Sequence, residues 1–207
     1  MEKTRILIVE DDLDFCQLIS QAIGREKDME VVGICQTGQE ALIAAGDKEP
    51  DMVLMDLNLT GKELDGIYAA RRIRLETRAK VIILTAYDAP DTVIEASTGA
   101  LASGYVLKDQ FFMLVPTIRQ TMLGPTPQSH MICMCLLNVL SPAEKSVFWG
   151  MLGKKIKVHS SHKTIANQQT SVLRKLKLAN RQELLHVFDA YFHGHEGHMQ
   201  VTEGDWG

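Results

Sequence analysis

The chain has 207 residues, 45% hydrophobic and 23% charged, the composition of a soluble globular protein with one large or two ordinary domains. No apolar run approaches the roughly 18 to 20 residues of a membrane span, and the N-terminus enters a strand pattern at once, so neither membrane insertion nor a signal peptide is expected. The four cysteines, Cys16, Cys35, Cys133 and Cys135, lack the spacing of a disulfide or zinc framework, and reduced thiols in a cytoplasmic protein are expected. The net charge of −4 is unevenly spread. Residues 1–123 carry 13 basic and 20 acidic side chains, a net −7, whereas residues 140–188 carry 9 and 2, a net +7. An acidic half joined to a basic half suggests that the basic half meets a polyanion.

In chain order, Arg5–Val9 is a continuous apolar run, suited to a parallel strand covered on both faces, and it ends in Glu10, Asp11 and Asp12. Residues 14–24 have helical spacing, with Asp12 as cap. Strands follow at Glu30–Cys35, Met52–Met55, Val81–Leu84 and Gly104–Leu107. Helices are expected at 38–46, 65–76, 92–99 and 111–123, with Arg71, Arg72 and Arg74 on the solvated side of the third. Alternating strands and helices imply right-handed crossovers and a parallel sheet. Five units in about 120 residues fit an α/β, flavodoxin-like sheet of order 2-1-3-4-5. The carboxyl ends of its strands share one edge, where ligands bind. Glu10 and Asp11, Asp56, Thr85 and Lys108 all fall at strand ends and are expected to meet there, with Asp56 taking a phosphoryl group.

These residues resemble the receiver domains of two-component response regulators. The resemblance covers about residues 1–123 and rests on I-L-I-V-E-D-D, L-M-D-L-N, I-L-T-A and G-Y-V-L-K-D, in that order. It implies that Asp56 is the phosphoacceptor, Glu10 and Asp11 the acidic pair, Thr85 the switch hydroxyl, Tyr105 the switch aromatic and Lys108 the lysine that meets the phosphoryl group. The chemistry asks for the same residue types. Mg²⁺ takes an octahedron of oxygens and keeps several waters. Asp11 and Asp56 can ligate it directly, Glu10 through water, and the backbone carbonyl of Asn58 can complete the protein share. The Asp56 carboxylate is then a nucleophile toward phosphorus, with Lys108 neutralising charge on the phosphoryl oxygens. Thr85 and Tyr105 form a two-state element biased by the new charge. One departure stands out: the loop Leu59–Leu64 is slightly long and has no proline, although Asp65-Gly66 is present.

Gly124-Pro125-Thr126-Pro127 breaks the pattern, and residues 124–139 read as a linker. The apolar Met131–Leu137 is expected to form a strand or helical turn that packs the linker onto a domain. Its Cys-x-Cys has no second cysteine pair to suggest metal chemistry. From Leu140 the reading is a small all-α domain, 140–191. Ser141, Pro142 and Glu144 form a capping-box helix start. Ser161 is a second cap, before a helix at 163–178 with Ile165, Gln169, Val172, Leu173 and Leu176 on one face and Lys163, Asn167, Thr170 and Arg174 on the other. A third helix is expected at 181–191.

This part resembles the LuxR/NarL-type helix-turn-helix output domain, on L-S-P-A-E-K-S-V-F and S-S-H-K-T-I-A-N-Q-Q-T-S-V-L-R-K-L-K-L-A-N-R-Q-E-L-L. The resemblance implies a recognition helix in the DNA major groove. Ala166, Asn167 and Thr170 are then candidates for base contacts, and Lys163, Ser171 and Arg174 for phosphate contacts. The match has a gap. Only Gly153–Ser160 fills the space of the family's turn and scaffold helix, about six residues short, and its Ile156/Val158 alternation reads as an extended connector. Residues 192–207 read as a flexible tail; its His193, His195 and His198 make a zinc site conceivable.

The expected function is a response regulator, not an enzyme beyond slow autodephosphorylation. A sensor histidine kinase or a small phosphodonor phosphorylates Asp56 with Mg²⁺, and the activated chain dimerises, with helix 181–191 as candidate dimer surface, and binds promoter half-sites. The rival is a phosphorylation-switched protein-interaction module whose shortened output domain does not bind DNA. A flavin-binding domain is disfavoured, because the acidic cleft repels a phosphate in the absence of metal.

Overall fold

The structure is a computed structural model that describes residues 3–59, 65–155 and 161–192. The sheet consists of β1 (Thr4–Val9), β2 (Met29–Cys35), β3 (Met52–Met55), β4 (Lys80–Thr85) and β5 (Gly104–Leu107). All neighbours are parallel and the order is β2-β1-β3-β4-β5. Between them run α1 (Leu13–Gly24), α2 (Gly38–Lys48), α3 (Asp65–Glu76) and α4 (Pro90–Gly99), and α5 (Leu114–Leu123) follows β5. Strand side chains alternate between two cores, as a sheet covered on both faces requires. Leu7, Val9, Val53, Met55, Val81 and Ile83 enter one core, and Ile6, Ile8, Met52, Leu54, Ile82 and Leu84 the other. Side-chain caps start α1 and α2: Asp12 accepts from the Asp14 and Phe15 amides, and Thr37 from the Glu40 amide. The helix expected at 111–123 begins later, at Leu114. The residues before it, Lys108–Met113, form a tighter 3₁₀ segment interrupted at Gln110, whose backbone is not helical.

The linker contains a full helix, α6 (Pro127–Leu137), rather than a strand or a single turn. Thr126 and Ser129 form its capping box. Ile132, Cys133, Leu136 and Leu137 are buried, and α6 packs against α4 and β5. The remaining helices are α7 (Pro142–Met151), α8 (His162–Leu176) and α9 (Arg181–Phe192). The Ser141/Glu144 capping box forms as the sequence predicts. Glu144 also accepts hydrogen bonds from Ser171 (2.7 Å) and Lys175 (2.7 Å), which fastens α7 to α8. Those partners, Lys175 first, hold its carboxyl well below the ordinary range, at about 2. Helix α8 stops two residues short of the expected Leu178, because Lys177 turns into the left-handed region at φ 55° and the Leu178 amide bonds back to the Leu173 carbonyl, a helix-ending pattern. Gln169, expected on the apolar face, is exposed. An aromatic cluster centres on Phe148, Phe188 and Tyr191, with Phe148 and Phe188 edge to face at 4.8 Å.

The basic residues of α3 depart most from expectation. Arg72 is half-buried and pairs with Glu76, but Arg74 is buried and Arg71, half-buried as well, has its guanidinium on backbone carbonyls. Arg74 lies four residues after Ala70 and seven after Ile67, on the helix face turned inward, and is only 2% exposed. Its guanidinium donates to the Leu101 and Ala79 carbonyls, 3.1 Å each, while Nη2 has no hydrogen-bond partner. Arg71 reaches the other way, donating to the carbonyls of Leu176 (2.9 Å) and Lys177 (2.8 Å) at the end of α8 and of Gly99 (3.2 Å) at the end of α4. A cation between two helix C-termini meets their unsatisfied carbonyls and negative dipole ends. Helix α9 adds Tyr191, whose hydroxyl donates to the Ala102 carbonyl (2.9 Å). It also adds His186, whose Nε2 lies 3.1 Å from the Arg74 carbonyl and 2.8 Å from the Thr77 carbonyl. Two carbonyl acceptors require that nitrogen to carry a proton. One hydrophobic cluster therefore runs from the sheet through α3, α4 and α6 into the C-terminal helices.

Candidate functional site: an acidic cleft at the strand ends

Strand order reverses between β1 and β3, so the cleft opens where these strands end. Val9 pairs with Met55, which places Glu10 and Asp56 side by side. One carboxylate oxygen from each of Glu10, Asp11 and Asp56 lies within 4.8 Å of the others. Glu10 and Asp56 are buried and Asp11 is exposed at the mouth. The Asp56 carboxylate is held at both oxygens: Oδ1 accepts from the Leu57 amide (2.7 Å) and Oδ2 from Lys108 Nζ (2.9 Å). Lys108, carried out of β5 into the 3₁₀ segment, also lies 2.7 Å from Glu10 Oε2.

Gly66 fixes the depth of this arrangement. Its amide donates to the Leu57 carbonyl (3.1 Å), and a Cβ there would sit 2.0 Å from the Asp56 carbonyl oxygen. Only glycine lets α3 approach the end of β3 this closely. The loop expected to be long, Leu59–Leu64, lies outside the described residues after Leu59.

The charges are mutually tuned. Burial pushes the Glu10 carboxyl up, and the Asp56 charge adds to that, against the lowering pull of Lys108. Burial alone would lower the Lys108 pKa, but its bonds to Asp56 and Glu10 outweigh burial and hold it above its ordinary value. Three converging carboxylates, two of them paired with one ammonium, leave an excess of negative charge that a cation relieves. The residues fit a divalent metal: the donors are carboxylate oxygens, they converge, and one ammonium shared by Glu10 and Asp56 does not balance them. Asn58, proposed to offer a backbone carbonyl, follows Asp56 by two residues and is half-buried.

Thr85 is buried at the end of β4 and Tyr105 is buried in β5. Tyr105 points inward, its hydroxyl donating to the Tyr87 carbonyl (2.8 Å). Burial, then the charges of Asp56 and Asp88, push its phenol up to about 12. Its backbone is held from outside the sheet. Gln128 of α6 accepts from the Tyr105 amide and donates to the Tyr105 carbonyl, both at 3.0 Å.

The second group of predicted residues lies on α8. Lys163, Ala166, Asn167, Thr170 and Arg174 are all exposed on the described helix, whereas Ser171 is half-buried with its hydroxyl on Glu144. The receiver touches α8 through its C-terminal end, by Arg71, and leaves that exposed face open. The connector after Lys155 and the tail histidines His193, His195 and His198 lie outside the described residues. Sequence reasoning missed Gln128, Arg71 and the inward Arg74. For Arg74, and for Arg71 four residues after Ile67, the helical spacing was a usable signal. For Gln128 there was none.

Comparison with known proteins agrees with this geometry. The response regulator receiver domain family matches residues 6–114. The transcriptional regulatory protein DesR of Bacillus subtilis (strain 168) is 32% identical over 190 residues, which cover 87% of this chain and 94% of DesR. A crystal structure of a LuxR-family DNA-binding response regulator from Staphylococcus aureus superposes with a TM-score of 0.51 at 28% identity, covering 56% of this chain and 97% of that one. The RcsB response regulator of Salmonella typhimurium, at 22% identity and a TM-score of 0.55, shares the fold over 92% of this chain and 99% of its own. The chain belongs to the two-component response regulator family, with a receiver domain that holds the acidic cluster and a LuxR/NarL-type output domain behind it.

Proposed function

We propose that the chain is a transcriptional regulator switched by phosphorylation of Asp56. The observation that carries this reading is the Asp56 carboxylate held between the Leu57 amide and Lys108 beside two further acids. A sensor histidine kinase or a small acyl phosphate is the donor. An Asp56 oxygen forms the new bond to phosphorus, the bond from phosphorus to the donor breaks, and the donor leaves with its electron pair. Glu10, Asp11, Asp56 and the Asn58 carbonyl hold Mg²⁺, which supplies charge neutralisation on the phosphoryl oxygens. Lys108 is already within reach of the same oxygens and offsets the charge that develops. Thr85 donates its hydroxyl to the new group, which pulls its loop inward, and the Tyr105 ring, inward already, follows into the space vacated. The chain performs this chemistry on itself and turns over no other substrate.

The domains divide as 1–123 receiver, 124–139 linker, 140–191 output and 192–207 tail. The output binds DNA as a dimer on paired half-sites. Ala166, Asn167 and Thr170 meet base edges and Lys163 and Arg174 meet phosphates. Ser171 serves the fold through Glu144 rather than a phosphate. The protein acts in the cytoplasm.

One observation favours the interaction-module reading: among the described residues no helix lies between α7 and α8, and α8 buries only Val172 and Leu176. Titration of promoter DNA with the phosphorylated full chain against salt separates the two. DNA binding through lysine and arginine falls steeply with salt, and a Lys163→Ala/Asn167→Ala variant loses it. Salt-independent or absent binding by the phosphorylated chain contradicts the DNA reading and leaves the interaction module.

A further inference from the structure

Lys108 has a third neighbour besides the two carboxylates. Its Nζ lies 4.7 Å from the centroid of the Phe15 ring. Phe15 stands in the first turn of α1, a few residues after the acidic pair, and meets Phe111 edge to face, 5.6 Å between centroids at 67°. Both rings pack against the core that contains Ile6, Ile8 and Leu114. The ring that faces the ammonium is therefore fixed by packing on one side and by Phe111 on another.

The geometry suits a specific task. Lysine is a point charge on a flexible four-carbon stem, with considerable rotamer freedom. In the resting cleft two carboxylates hold it. Once Asp56 carries a phosphoryl group, one of those carboxylates has become an acyl phosphate, and Nζ must follow the charge onto the phosphoryl oxygens. An aromatic face attracts the ammonium through its quadrupole. It does so without accepting a conventional hydrogen bond, so it leaves the N–H groups free for those oxygens. A third carboxylate in the same place would hold Lys108 more tightly but compete with the phosphoryl group and repel it.

We propose that Phe15 is a positioning residue for Lys108 in phosphoryl transfer to Asp56. The proposal rests on Asp56 being the phosphoacceptor. Phe15 carries no group that could bond the donor or ligate the metal, and acts through Lys108 alone. It keeps the Lys108 ammonium over the cleft while the charge it serves moves from a carboxylate to a phosphoryl group.

The test uses the full chain with acetyl phosphate and Mg²⁺, comparing wild type with Phe15→Leu, which keeps apolar packing, and Phe15→Tyr, which keeps the ring. The labelling rate is followed by intact mass, and the Lys108 side-chain ammonium by ¹H–¹⁵N spectroscopy, assigned with Lys108→Arg. Phe15→Leu slows labelling by about two- to tenfold, the range expected for a lost cation–π contact, and Phe15→Tyr restores the rate. The ammonium signal carries a ring-current shift in wild type and the Tyr variant and loses it in the Leu variant. Equal rates for wild type and Phe15→Leu, a Tyr variant as slow as the Leu variant, or an ammonium signal indifferent to the ring overturns the role of Phe15. A folded wild-type chain that takes no phosphoryl group overturns instead the phosphoacceptor reading on which the proposal rests.

Discussion

Gln128 gives Tyr105 both of the hydrogen bonds that a neighbouring strand would give it, accepting from its amide and donating to its carbonyl at 3.0 Å each. The β5 edge is thus closed by a side chain of α6. An unpaired edge invites pairing with another chain, and this one is covered at the residue whose phenol is the proposed switch. Replacing Gln128 by alanine removes both bonds and is expected to cost about 1–2 kcal/mol. Hydrogen exchange at the Tyr105 amide should accelerate accordingly. Unchanged protection there would mean that α6 does not close the edge in solution.

Arg71 joins the two halves of the chain. It donates to two carbonyls at the end of α8 and one at the end of α4. Arg71→Ala is expected to weaken the contact between receiver and output by roughly 1–3 kcal/mol, and Arg71→Lys should recover little, since one ammonium cannot span three carbonyls in the way a planar fork does. Limited proteolysis between α6 and α7 reads this directly: faster cleavage of both variants is expected, and a wild-type rate in Arg71→Ala contradicts the latch.

Glu144 predicts a pH signature. Its carboxyl is held at about 2, below the ordinary 4.5, chiefly by Lys175 and the Ser141 amide. A depressed carboxylate stabilises the folded chain above its unfolded pKa, and that contribution is lost as pH falls through the folded value. Melting curves of wild type and Glu144→Gln should therefore differ most at neutral pH and converge as the pH approaches 2. A difference that grows on acidification contradicts the assignment.

Gly66 allows no side chain. A methyl group would lie 2.0 Å from the Asp56 carbonyl oxygen, so α3 or the end of β3 must shift. Gly66→Ala is expected to destabilise by about 1–3 kcal/mol, the usual range for overpacking, and to weaken Mg²⁺ binding, because the shift moves Asp56 itself. Thermal melts with and without Mg²⁺ measure both effects.

The receiver fold was legible because its signals are local. Continuous apolar strands ending in Glu10, Asp56, Thr85 and Lys108 specify a parallel sheet and its functional edge, and the caps at Asp12, Ser141 and Ser161 mark helix starts. What was not legible depends on contacts between distant segments. Helical spacing puts Arg74 on the face of α3 that turns inward, but the packing that covers α3 includes α9, more than a hundred residues later. Gln128 sits in a Thr-Pro-Gln-Ser helix start that satisfies its own capping rules, and nothing local says that its amide faces Tyr105. The carbonyls of Leu176 and Lys177 are backbone groups, and no side-chain pattern points to Arg71 as their partner.

Asp56 is the proposed acceptor of a phosphoryl group in the cleft at the ends of β1, β3 and β5. The most direct measurement is peptide mapping of the full chain after incubation with acetyl phosphate, with and without Mg²⁺, beside Asp56→Asn. One phosphoryl group is expected, on the peptide that contains Asp56, only with Mg²⁺ and absent from the variant. Equal labelling of Asp56→Asn, or none in a folded wild-type chain with Mg²⁺ present, would contradict it.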